Sequence, residues 1–182
     1  MAATLNAPMT LEEFSGLRRG AERHELDAGE LISMPPPKSM HALVVRKILK
    51  AIEAILDQDD FGCAFAEAGY VLSRDPLTIR QPDVSVISKE RIQVTGPDDY
   101  FEAAPELAVE VISPSDSAEY METKIEQYLQ WGAKQVWVLY PKTRRVYLFY
   151  ESGQSVVLDE SQTLEGGELL PGFPVRVTDL FV

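Results

Sequence analysis

The order of apolar and polar positions predicts an alternation of short strands with two long amphipathic helices. Thr10 to Phe14 reads as a short helix, with Thr10 as its N-cap and Glu13 at the capping-box position. His24 to Ser33 reads as two strands turning at Asp27-Ala28-Gly29. Pro35 to Pro37 ends that unit, and Ser39 is placed to cap a helix from about Met40 to Asp57. Its apolar stripe is His41, Val45, Ile48, Ile52, Ile55 and Leu56, at helical spacing, with Arg46, Lys47 and Lys50 on the other side. Cys63 to Ser73 predicts one strand bent at Gly69, followed by a turn at Arg74-Asp75-Pro76. Gln81 to Ser88 and Pro105 to Ser113 predict two more strands, joined by a loop that carries Gly96 to Asp99. Ser113 to Asp116 opens a second helix running to about Trp131, where Gly132 stops it. Gln135 to Tyr140 and Arg145 to Tyr150 predict a hairpin around Pro141 to Arg144, and Ser155 to Leu158 a further strand. Leu170 to Pro174 reads as an irregular terminus. The expected fold class is α/β, mixed α+β in stricter terms: one mixed sheet with two helices packed on it.

Length and composition narrow the class. A chain of 182 residues is expected to be one domain, residues 1–182, with residues 1–9 as a flexible N-terminus. Hydrophobic residues at 45% and charged residues at 25% exclude a disordered, collagen-like or coiled-coil chain. The single cysteine, Cys63, allows no intrachain disulfide and reads as a small core residue. No apolar run approaches the roughly 20 residues that span a bilayer, and no basic stretch leads into an apolar one at the N-terminus. A cytoplasmic protein is the expectation.

The charge changes the picture more. Seventeen basic and 29 acidic residues give a net −12, a field that repels nucleic acid. Any nucleic-acid role must therefore work through a local basic patch or a bound metal. Between Gln93 and Gln127 nine carboxylates accompany a single base, Lys124.

Two carboxylates stand where strands do not welcome them. In Pro105 to Ser113, Leu107, Val109 and Val111 share one face and Ala108, Glu110 and Ile112 the other. Both faces look buried, so Glu110 must be ion-paired, protonated or bound to a cation. Asp83 opens an apolar strand after Pro82, as a strand-start residue or as a ligand. Neighbouring strands lie about 4.8 Å apart, so the two carboxylates can approach one cation, and oxygen ligands of this kind suit Mg²⁺ or Mn²⁺. Lys124 lies on the shoulder of a stripe formed by Met121, Ile125, Tyr128 and Leu129. It either snorkels to water or stands beside a reacting water. His41 is either a satisfied core histidine or a pocket residue, and Glu67 is a further candidate carboxylate. No phosphate-binding glycine loop, zinc-ligand spacing or nucleophile elbow is present.

These segments together resemble the Uma-type putative restriction endonuclease family, within the PD-(D/E)XK nuclease superfamily. The matching stretches are MTLEEF, HELDAGELISMPPP followed by His41, QPDVSVIS, PELAVEVISPSD, KIEQYLQWGAKQVWVLYP and LLPGFPV, from about Met9 to Val175. The resemblance implies a restriction-endonuclease-like core, a mixed central sheet flanked by two main helices with extra β-hairpins. It implies Asp83 as the aspartate of the first motif and Glu110 as the acid of the second. The chain departs from the superfamily pattern at Ile112, where the lysine would stand, and the resemblance carries that role to Lys124. It also puts Glu25 and Glu30 near the pocket, although each reads by itself as an exposed strand position.

The function so implied is Mg²⁺-dependent hydrolysis of DNA phosphodiester bonds, with Mn²⁺ as a substitute ion. Asp83 and Glu110 hold the metal, Lys124 assists the attacking water and His41 supports them. Arg46, Lys47, Lys50, Arg144 and Arg145 are the candidates for contacts to the DNA backbone, or else scattered solubilising charge. A homodimer fits a protein that cuts both strands. Two alternatives stand beside this reading: an inactive fold relative acting as a binding or assembly module, and a metal-dependent hydrolase of RNA or a nucleotide.

Overall fold

A computed structural model describes residues 8–17, 23–58 and 61–181. The chain runs α1 (Leu11–Ser15), β1 (Arg23–Asp27), β2 (Glu30–Met34), α2 (Ser39–Leu56), β3 (Gly62–Ala66), β4 (Tyr70–Arg74), β5 (Leu77–Arg80) and β6 (Val84–Ser88). It continues through α3 (Lys89–Val94), β7 (Phe101–Glu102), β8 (Leu107–Val111), α4 (Ala118–Gln130), β9 (Gln135–Tyr140), β10 (Arg145–Tyr150), β11 (Ser155–Leu158), β12 (Thr163–Gly166), β13 (Leu170–Arg176) and α5 (Val177–Leu180). Of the N-terminus expected to be flexible, residues 1–7 lie outside the described residues. Met9 donates its N–H to the Gly29 carbonyl at 3.0 Å.

The central sheet has the order β11-β10-β9-β8-β6-β3. It is mixed: β8 and β9 run parallel and the other neighbours antiparallel. The alternation in β8 places its side chains as the sequence predicts. Leu107, Val109 and Val111 join one core with Val44, Ile48, Ile52 and Leu56 of α2. Ala108 joins a second core with Met121 and Tyr128 of α4. The two main helices therefore cover opposite faces of this sheet.

The expected single sheet is divided. A second sheet, β2-β1-β5-β4-β7, carries its own core of Phe14, Leu26, Val71, Leu77 and Ile79. A two-stranded sheet pairs β12 with β13. The predicted strand from Cys63 to Ser73 supplies both larger sheets: β3 pairs with β6, and β4 pairs with β5. The chain changes sheet at Glu67, whose φ of 55° takes a left-handed turn that strands do not allow. Gly69 follows because a Cβ there would lie 2.5 Å from the Tyr100 ring. Helix α4 sits between the two larger sheets. Met121 and Tyr128 reach the central core, while Lys124 and Gln127 bond Glu25 and Asp27 of the second sheet.

Other expectations are corrected locally. The N-cap of α2 is Lys38 and makes no side-chain cap bond, so Ser39 is the first helical residue. Helix α4 starts at Ala118, capped by Ser117, whose hydroxyl accepts the Tyr120 N–H. Ser113 to Asp116 is a separate turn closed by the Asp116 carboxylate on the Ser113 N–H. Cys63 is exposed, on the outermost strand β3 of the central sheet, and is not a core residue. The stretch from Leu170 to Pro174 is strand β13, not an irregular terminus. No helix among the described residues is long and apolar enough to cross a membrane.

Candidate metal and nucleic-acid site

The register of the central sheet brings the two carboxylates together. Val84 pairs with Val109 and Ser85 with Ala108, so one step further Asp83 lies across from Glu110. Opposed positions of an antiparallel pair project to the same face, with Cβ atoms about 4.5–5.5 Å apart. Both residues are nearly inaccessible to solvent, at 4% exposure each. They line one cavity of about 120 Å³, together with Arg23, His41, Tyr120 and Lys124. That volume admits an ion with several waters, each taking about 30 Å³.

Asp83 is fully engaged. Its Oδ2 accepts the Val111 N–H at 2.8 Å and lies 3.1 Å from His41 Nε2. Its Oδ1 accepts from Arg23 Nη1 at 3.0 Å. Burial works against the charged carboxylate, but the hydrogen bond and charge of His41, the Val111 N–H and the Arg23 guanidinium outweigh it and hold Asp83 below its ordinary pKa. In return, burial works against charge on His41, but Asp83 outweighs it and holds the imidazole above its ordinary value.

Glu110 is different. Its Oε1 accepts from Lys124 Nζ at 2.6 Å and from the Tyr128 hydroxyl at 2.8 Å. Its Oε2 receives no donor among the described residues. Burial, with Asp83 and Glu25 adding negative charge and Lys124 opposing them, raises its pKa to about 7. Lys124 is only 2% exposed, so it does not snorkel to water. Burial works against its charge, but Glu110 and Glu25 outweigh it and hold the ammonium above its ordinary pKa. At neutral pH Lys124 is a fixed cation and not a proton acceptor.

Behind Lys124 lies a buried polar cluster. Glu25 Oε1 lies 3.2 Å from Lys124 Nζ and accepts the Gln81 N–H at 2.9 Å. Glu25 Oε2 accepts from the Tyr120 hydroxyl at 2.7 Å and from Arg80 Nη1 at 3.1 Å. Arg80 is wholly buried and also meets Asp27 at 2.8 Å and the Gln127 side-chain oxygen at 2.8 Å. Burial raises the Tyr120 and Tyr128 hydroxyls well above the ordinary phenol range, so both remain donors. Lys124 is thus held between a carboxylate of the cavity and a carboxylate of the scaffold.

The structure brings together Asp83, Glu110, Lys124, His41 and Glu25. Glu25 is completely buried, where its alternation in a hairpin strand suggests exposure. Glu30 is exposed at the hairpin turn and lies outside the cavity. Glu67 is half-exposed and pairs with Arg23 at 3.1 Å. Arg23, Arg80, Tyr120 and Tyr128 are site residues that the sequence pattern does not single out. Among the basic candidates, Lys47 donates to the Asp179 and Phe181 carbonyls, and Arg144 bonds Thr178 and Glu160. Arg46, Lys50 and Arg145 remain exposed.

Among the described residues no three His, Cys, Asp or Glu side chains gather into a metal-holding group. Two carboxylates still suit Mg²⁺, which commonly binds through one or two carboxylates and keeps several waters. The undonated Oε2 of Glu110 fits that pattern, and the Oδ1 of Asp83 fits it once Arg23 moves.

None of the curated proteins compared with the sequence matches it. A crystal structure of a putative nuclease belonging to DUF820 from Anabaena variabilis ATCC 29413 has the same fold. Its TM-score is 0.83 at 21% identity, over 95% of this chain and 97% of that one. The model of the Uma2 family, described as "Putative restriction endonuclease", matches residues 11–178, a span that holds every residue of the cavity, and the chain belongs to that family.

Proposed function

We propose that the protein is a divalent-metal-dependent endonuclease that hydrolyses phosphodiester bonds of DNA. The observation that carries this reading is the opposition of Asp83 and Glu110 across β6 and β8, in a cavity that also holds the Lys124 ammonium. In it, Asp83 and Glu110 bind the ion through oxygen, each held in orientation by its own donors. Bound there, Mg²⁺, or Mn²⁺ in its place, supplies Lewis acidity to the scissile phosphate and the attacking water. Lys124 remains protonated, so it orients the water and offsets negative charge in the transition state. His41 and the Val111 N–H fix the Asp83 carboxylate. Arg46, Lys50 and Arg145 are the exposed cations left for backbone contacts. Cutting both strands of a duplex takes two such sites, so a homodimer is part of this reading.

Supercoiled plasmid incubated with Mg²⁺ or Mn²⁺ tests it, with an RNA of similar length in parallel. Nicking that needs the ion and disappears in Asp83→Ala and Lys124→Ala supports the proposal. Equal nicking in excess chelator, or by Asp83→Ala, overturns it, and cleavage confined to RNA moves the substrate. One observation favours the other reading, a binding or assembly module without activity: every charge around Asp83 is answered from within the protein. That reading predicts no cleavage and no effect of Mn²⁺ on the unfolding temperature.

A further inference from the structure

Arg23 occupies the place at Asp83 that an ion would need. Its Nη1 lies 3.0 Å from Asp83 Oδ1 and 3.1 Å from Glu67 Oε1, so one cationic nitrogen stands between two carboxylates. Its Nη2 donates to the Gln81 carbonyl at 2.7 Å, and its Nε is buried without a partner. The other oxygen of Asp83 is taken by Val111 and His41. A divalent ion at about 2.1 Å from Oδ1 and a guanidinium at hydrogen-bond distance from the same oxygen would repel strongly. The two cations compete for Asp83.

The surroundings also give Arg23 somewhere to go. It lines both the cavity of Asp83 and Glu110 and a wider groove of about 630 Å³, whose wall includes His24, Glu67 and Tyr100. Glu67 stands on the groove side, 44% exposed, at the left-handed turn where the chain passes from β3 to β4. A guanidinium leaving Asp83 keeps Glu67 as a partner.

We propose that Arg23 is a resident cation that holds the Asp83 seat in the metal-free protein, and that a divalent ion binds by displacing it. This rests on the nuclease reading above and gives that site a built-in control. Metal affinity is set by competition with an internal arginine, and it rises when something else, such as a phosphate group, draws the guanidinium away.

Calorimetric titration of Mn²⁺ into the whole protein tests the proposal, with Arg23→Gln, Arg23→Lys and Asp83→Ala in parallel. Charge-assisted hydrogen bonds of this kind imply a gain of about ten- to a hundred-fold in Mn²⁺ affinity for Arg23→Gln. Arg23→Lys keeps the charge and stays nearer the wild-type affinity, which a mere loosening of the packing would not produce. If Arg23→Gln fails to fold, Arg23→Met replaces it, since it keeps the apolar stem and drops the charge; the same gain in Mn²⁺ affinity is expected, and binding no tighter than that of wild type contradicts the proposal. Wild type that binds Mn²⁺ through Asp83, with Arg23→Gln no tighter, overturns the displacement and leaves the nuclease reading intact. No Mn²⁺ binding by wild type and Arg23→Gln alike removes the carboxylate site, and the displacement with it.

Discussion

Glu110 should make folding stability depend on pH in a way that one substitution erases. The carboxyl has an ordinary pKa of 4.5 and about 7 in the fold, chiefly because burial penalises its charge. A raised folded-state pKa stabilises the fold fully below 4.5, and that contribution is lost as pH rises through about 7. At about 1.4 kcal/mol per pH unit, the interval corresponds to about 3 kcal/mol. Glutamine has nearly the same shape, can accept from Lys124 and Tyr128, and does not titrate. Asp83, His41 and Glu25 titrate in both proteins, so their contributions largely cancel in the difference. Urea unfolding of wild type and Glu110→Gln from pH 4 to pH 8 reads that difference directly. The variant should gain about 3 kcal/mol relative to wild type across the range, most of it between pH 4.5 and 7. Two stability curves that stay parallel would mean that Glu110 is as easily ionised inside the protein as outside it.

Arg80→Met leaves Glu25 and Asp27 without their buried partner and should destabilise the fold by about 3–5 kcal/mol in urea unfolding; a loss below about 1 kcal/mol would mean that the cluster is not coupled to folding. Tyr128→Phe removes one donor from the buried Glu110 carboxylate and should lower stability at pH 8 by about 1–3 kcal/mol, and by less at pH 5, where Glu110 is neutral; an equal loss at both pH values contradicts the assignment. Gly62→Ala places a Cβ 2.0 Å from the Ile87 carbonyl oxygen across the β3–β6 pair, and should cost about 2–3 kcal/mol by pushing the edge strand away; an unchanged unfolding temperature would contradict that packing.

The legible part of the site is the part where a polar residue interrupts an apolar pattern. Asp83 and Glu110 stand out because the strands around them are apolar on both faces, and the sheet register then places them across from each other. Lys124 is legible as a lone base among acids, although its complete burial is not. Glu25 shows the limit. Its neighbours alternate as in an exposed hairpin, and its burial comes from Tyr120 and Lys124, on a helix almost a hundred residues later. Arg80 is invisible for the same reason, since its partners, Glu25 and Asp27 on β1 and Gln127 on α4, are all distant from it in sequence.

The two long helices follow from their helical periodicity, and the β9–β10 hairpin from two runs of β-branched and aromatic residues around Pro141 to Arg144. The division of the sheet does not, because Gly62 to Arg74 carries continuous strand propensity and the change of sheet turns on the backbone of Glu67. Strand β13 is hidden by Pro171 and Pro174, which a strand tolerates here because it pairs on one side only, with β12. Helix α3 is hidden in a stretch that reads as loop; it buries no residue that would mark it.

The proposed function stands or falls on whether Asp83 and Glu110 hold one divalent ion between them. Calorimetric titration of Mn²⁺ into wild type, Asp83→Ala and Glu110→Ala, repeated once with a short duplex DNA present, tests it most directly. Wild type is expected to bind about one ion, and neither variant any. Binding that persists undiminished in both variants, or no binding by wild type with or without DNA, would contradict it.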